Sequence, residues 1–495
     1  WSDTVLLGRA LAGIEIVLPS APGQKPLMFV VNELNMQRNI EGEIDIRGIV
    51  SLNDRQATLV AGSQTIEGVT TGLSAKLMGL DVTSFLLHRD AAGMPREGLD
   101  SAVDLELAAT RSRETTVPVI TAKLKQSPGR FYFDSIEQPF SGADIDVAYD
   151  FTKDAIEIQR SEARFGPTVL PFTGAVVDLN RVDPADHRPG FGLDLLVSGG
   201  TAAGASNAEE PAQFDLKAVG RYLSADRELQ FDEMAMSSPL GRMAAALKVR
   251  FGTQSPEISF GGQLPQMQVT AIKQLWPFWM ARKARDWVMG NMFGGTLSNG
   301  SIAVFIPAGR MKGPGVPLDL NRNELQISFD LADGRVNLPA DIPPLRDIYG
   351  RFDLKGEAMQ VDITQAGSFF PSGRAVKVEG GRFSIPSTYA KPLMADIALK
   401  LSGPADAIAE LTSFKPINGL KNTEFKPSDF SGTAKVDVKA QFGLVNDQNP
   451  PKPVWNAHAD LRDVALALVL GVLVMGSLRW TGRWSPPGQG EGGPM

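Results

Sequence analysis

Cysteine is absent from the sequence, which excludes disulfides, thiolate metal sites and a cysteine nucleophile. Histidine is nearly absent: His88, His187 and His458 are far apart in the chain, and each reads as an ordinary surface or loop residue. No G-x-S-x-G elbow and no phosphate-binding P-loop occurs. The one G-x-G-x-x-G match, at Gly488, Gly490 and Gly493, has no helix after it and carries no dinucleotide signal. Strong positive charge is also missing. A net charge of −7 offers nucleic acid or an anionic membrane surface no global attraction. These absences point away from an enzyme; no catalytic residue, metal ligand or cofactor is expected.

What is present is alternation. In "GADIDVAYDFTKDAIEIQR" (142–160), apolar and charged residues take turns, break at Thr152-Lys153-Asp154, and alternate again. Successive side chains of a strand point to opposite faces, so Ile145, Val147, Tyr149 and Phe151 share one side with Ile156 and Ile158. Asp144, Asp146 and Asp150 share the other; as a solvated face they need no glycosidase or calcium role. Similar runs recur, among them "IDIRGIV" (44–50), "VDLEL" (103–107), "LQISFDL" (325–331) and "VDVKAQF" (436–442). Gly, Pro, Asn or Asp clusters separate many of them, as in antiparallel meanders. With 43% hydrophobic residues the chain should fold, mainly as β structure.

One stretch repeats. The segment from Gly129 and the segment from Gly334 each place a Pro ten residues on, Pro139 and Pro344. Val147 and Tyr149 then correspond to Phe352 and Leu354, and Ile156 and Ile158 to Val361 and Ile363. A weaker copy runs through 229–249. Such units hide an oily face by stacking on neighbours. The exception is 269–293, read as two short helices broken near Trp276-Pro277, with Pro277 in the first turn of the second. Trp276, Trp279 and Trp287 would either cap the sheet or meet a membrane surface; capping is the reading favoured for such amphipathic helices. The segment "VALALVLGVLVMGSL" (464–478) is shorter than the about 20 apolar residues of a bilayer span, and a membrane segment and an aberrant terminus both remain open for it.

The run Trp276-Pro277, Ala281-Arg282, Ala284-Arg285, Trp287-Val288, then "GGTLSNGSIAVFIP" and "ISFDLADGRVNLPADIPPLRDIYGRFDL", resembles the AsmA-like family of Gram-negative bacteria, in its YhdP-type branch. "FKPSDFSGTAKVDVKAQFGL" (425–444) fits that family's closing β unit, whereas the segment after Val464 departs from it. The resemblance implies a long curved antiparallel sheet with an open apolar groove, anchored in the inner membrane with its body in the periplasm. It implies phospholipids as ligands, moved towards the outer membrane, with inner- and outer-membrane proteins as partners at the groove's ends. The anchor would precede Trp1.

The expected organisation is a β-groove region at 1–265, a helical insertion at 266–295, a second β-groove region at 296–463 and an atypical tail at 464–495. Roughly 25 strands at about 4.8 Å spacing would reach on the order of 120 Å. Alternation alone cannot tell an open groove from a closed sandwich, and without the resemblance the sandwich is the favoured reading; a structural or adhesive β-solenoid or sandwich without lipid transport is the alternative. An outer-membrane barrel fits worst, since its strands need about 9–11 residues and aromatic girdles.

Overall fold

The computed structural model describes residues 4–9, 14–18, 27–52, 55–90, 92–111, 117–133, 136–182, 188–204, 209–252, 255–277, 280–312, 316, 318–338, 341–415, 417–468, 471–475 and 478–484. Among these described residues, twenty-seven strands join in one antiparallel sheet. Nearly every strand pairs with the next strand of the chain on one side and the previous one on the other. At three positions two short strands share one neighbour. The 27 strands therefore occupy 24 positions, about 110 Å at about 4.8 Å each.

The sheet is open. One end is Thr4–Arg9 and Ile14–Leu18 along Leu27–Asn39; the other is Gly471–Met475 and Leu478–Trp484 along Val454–Leu468. No pairing among the described residues closes it into a barrel. The mainly β antiparallel fold expected from the alternation is observed, and so is the openness that the resemblance implied.

Connections alternate between two long rims. One, the hairpin rim, carries short turns such as 151–154, 224–227 and 356–357 among longer loops, the longest described connection there being 307–324. At Glu67-Gly68 both residues have positive φ (53° and 79°) between the paired Ile66 and Val69, the two-residue turn whose twist suits a hairpin. The other, the capped rim, carries larger excursions. Strands Leu87–Arg89 and Pro95–Asp100 meet Gly129–Phe133 and Ile136–Phe140 there in a separate four-stranded sheet. Helices Val269–Leu275, Arg282–Asn291 and Ala405–Ser413 lie on the same rim. Most neighbouring strands of the main sheet also shift register inside their length, as between Ile158 and Ser161 or Phe231 and Met234. Bulges of this kind bend a strand and increase its twist.

Several expectations change. The repeat holds in its hairpins and fails in its first arm. Gly129 and Pro139 belong to the four-stranded sheet, whereas Gly334 lies in the main-sheet strand Leu325–Val336. Facing partners also differ, because the turn after Asp150 has four residues and the turn after Lys355 has two. Val147 faces Ile158, but Phe352 faces Val361. The offset is two residues, so every side chain keeps its face. Pro277 lies in the break between the helices and not in the first turn of the second, which starts at Arg282 after Ala281 in a left-handed conformation (φ 47°). The strand Glu257–Gln268 pairs directly with Thr296–Ile306, so the sheet continues on either side of residues 269–295. Residues 464–468 pair with 471–475 as strands. No helix among the described residues is long and apolar enough to cross a membrane.

Candidate functional site: an open apolar face

Directly facing residues of an antiparallel pair lie on the same side of a sheet, so apolar rows can be followed from strand to strand. One row runs Leu34, Gly48, Leu59, Leu77, Leu105, Leu124, Ile145. Beyond the register shift in Gly142–Asp150 it continues as Val147, Ile158, Gly174, Leu195, Ala218 and Met234. It carries on through Ala245, Gly262, Ile302, Ile327, Leu354 and Met359 to Ile385. A parallel row contains Tyr149, Ile156, Val176, Leu193, Gly220, Phe231, Leu247, Phe260 and Val304. No charged residue interrupts either row.

The opposite face is wet. Asp330, Arg351, Asp362 and Arg382 face one another in sequence across four strands. Arg351 meets Asp330 at 2.9 Å, and Arg382 meets Asp362 at 2.7 Å. Donation from Asn299 and Arg351 holds the Asp330 carboxyl below the usual range, and donation from Arg382 does the same for Asp362. Opposite signs facing across strands favour this register over its alternatives.

Cover over the apolar face is one-sided. At the capped rim, Ala271, Ile272 and Leu275 of the first helix pack on Val197, Phe214, Met236 and Leu264. Ala407, Ile408 and Leu411 of Ala405–Ser413 pack on Val376 and Leu401. Ile348, Ala366 and Val378 form a third buried group there. Towards the hairpin rim much of the same face is uncovered: Leu73 is 57% exposed, Phe191 47% and Ile156 42%, while Ile306 and Ile385 at that rim are buried. In a closed sandwich these side chains would meet a second sheet about 10 Å away.

The ten residues singled out from the sequence all fall on this side or its rim. Val147 faces Ile158 and Tyr149 faces Ile156; Ile145 faces Leu124 one strand over. Phe151 sits in the turn and meets Tyr149 edge-on at 4.6 Å. The Tyr149 hydroxyl donates to Asp154, a polar end to an apolar wall. Ten strands further along, Phe352 stacks on Phe329 at 4.7 Å and faces Val361, Leu354 faces Met359, and Ile363 faces Gly350 beside the third buried group. The structure therefore brings them together as two groups on one face, not as one site.

The helices divide the work that three tryptophans were expected to share. Small aliphatic residues of the first helix do the capping. The Trp276 indole donates to the Met280 carbonyl (2.9 Å), Trp287 is exposed, and Trp279 lies outside the described residues. The first helix is pinned by Lys273, 4% exposed, which donates to the Glu209 carboxylate and to the Met292 carbonyl (3.1 Å). Gln274 donates to the Glu209 and Glu210 carbonyls at 2.8 and 3.0 Å.

Sequence reasoning missed the middle of the wall, Phe231, Leu247, Phe260, Ile302 and Val304. Their signal was the weaker repeat copy at 229–249 and the run after Gly300. Among the described residues no three His, Asp or Glu side chains gather as metal ligands. His458 lies 3.5 Å from Asp460, and His187 is outside the described residues. No protein-family profile and no curated protein matches the chain.

Proposed function

We propose that this chain is a non-enzymatic lipid carrier. The acyl chains of phospholipids rest on the open apolar face while their headgroups stay in water. The observation that carries the reading is the apolar row across nineteen strands, free of charged residues, largely uncovered towards one rim and backed by an ion-paired face. A soluble protein rarely leaves a contiguous apolar patch of this extent without an occupant. Burial of one CH₂ contributes about 0.8 kcal/mol, so two long chains find a strong drive onto Val, Leu, Ile and Phe walls. A wall of near-uniform chemistry lets a bound lipid move along it without deep local minima. The AsmA-like resemblance supplies the setting: an inner-membrane anchor, a periplasmic body, transfer towards the outer membrane, and membrane proteins meeting the two ends. Native mass spectrometry of the chain purified without detergent tests the reading. Co-purified phospholipid is the expected result; repeated absence of lipid from folded protein favours a purely structural role.

A further inference from the structure

The two rims are unequal, and the inequality bears on how a lipid would sit. At the capped rim, helices and the three buried groups close over the apolar face. At the hairpin rim the tips themselves are apolar and exposed: Ile66, Val69, Phe151, Phe191, Phe251 and Val454. Between these limits the uncovered width can be measured along a strand. In Glu228–Ser238, Leu229, Phe231 and Met234 lie on the open part, and Met236 is already buried beneath the first helix. The bulge between Phe231 and Met234 sets the five steps from Leu229 to Met234 against four on the neighbouring strand, a span of about 13 Å. In Ala358–Phe369, Met359 and Val361 are part-exposed, Ile363 four steps from Met359 (about 13 Å) packs against the third buried group, and Ala366 is buried. One leaflet of a bilayer holds acyl chains about 15 Å deep, half of a hydrocarbon core about 30 Å thick. The widths agree.

Resting on the lipid-carrier reading, we infer that diacyl lipids lie across the sheet, parallel to the strands. Their chain ends point at the capped rim and their headgroups project over the hairpin rim, which is the lateral seam for entry and exit. Polar groups at that rim fit a headgroup level. The Tyr149 hydroxyl and Asp154 meet there, with Arg181 3.7 Å from the Asp154 carboxylate. Chains lying lengthwise would have no use for a width matched to one leaflet. Lipids in this orientation can also enter all along the seam, at any strand, and not only at the two ends of the sheet.

The lack of cysteine makes the test direct, because single-cysteine variants need no background removal. Leu229→Cys and Met234→Cys in one strand, and Met359→Cys and Ile363→Cys in another, carry a small fluorophore. Each is exposed to phosphatidylcholine vesicles bearing a nitroxide either on the choline headgroup or at the methyl end of one acyl chain. Headgroup nitroxide should quench positions 229 and 359 more than 234 and 363, and chain-end nitroxide should reverse the order. Equal quenching at both members of each pair, by both lipids, overturns the crosswise orientation while leaving the carrier reading intact. No quenching at any position by either lipid overturns both. The second strand guards against one variant failing to fold.

Discussion

A single carboxylate placed on the apolar row should block passage without unfolding the protein. Val147 is half-buried, faces Ala122 and Ile158, and has no charged residue opposite it. In Val147→Asp, a passing acyl chain loses contact with the wall over about four methylenes, about 3 kcal/mol at 0.8 kcal/mol each. A barrier raised by that amount slows each passage about 100-fold, since 1.4 kcal/mol is a factor of ten. The cost to folding is smaller, about 1 kcal/mol, because a half-buried Val gives up only part of its transfer free energy. The assay is transfer of fluorescent phospholipid between donor and acceptor vesicles, read beside the thermal melting curve. Thr121→Asp, facing Ala148 on the charged side, is the control and should transfer like the parent. Unchanged transfer in Val147→Asp, or equal loss in both variants, refutes the reasoning.

Three further outcomes follow from the ion pairs. Lys273→Met leaves the Glu209 carboxylate without its cation and should cost about 3–5 kcal/mol in urea unfolding, with Glu209→Leu in the same chain restoring much of it; a cost below about 1 kcal/mol would show that the pair does not hold the first helix. Arg374 meets Asp406 at 2.6 Å and Glu410 at 2.8 Å, so Arg374→Ala should speed amide exchange across 405–413 more than in the strands beneath; uniform exchange would contradict this. Acid should weaken the sheet: burial alone would raise the carboxyl of Glu228, 5% exposed, but Lys248 and Arg250 outweigh it and hold it low, as partners do for Asp330 and Asp362. Carboxyls depressed in the folded state stabilise it above their ordinary values near pH 4 and lose that contribution as pH falls through the folded values. Melting temperature should therefore drop on acidification below about pH 4, and a flat profile would remove these pairs from the stability account.

Period-two patterning fixed the face of each side chain but not its neighbour. Val147, Ile158, Phe352 and Val361 were placed on the correct side because an error of two residues in register leaves sides unchanged. The arm 129–140 misled for the same reason. Its alternation looks like that of 334–345, and nothing local tells it to leave the main sheet for a four-stranded one. The second helix starts late because Ala281 takes a left-handed conformation, which an alanine does not advertise. Openness was illegible in the alternation, since a strand facing lipid and one facing a second sheet need the same residues. The unequal rims were hidden too: Ala271, Ile272 and Ala407 read as ordinary helix faces until their partners are known.

The serial pairing of adjacent strands has a consequence for how this molecule could change size. Removing one strand would reverse the direction of all that follow and put every helix on the wrong flank. Removing two restores direction, because antiparallel order repeats in pairs. Reach is therefore adjustable in increments of about 9–10 Å, the width of a single β-hairpin, with the cross-section left as it was.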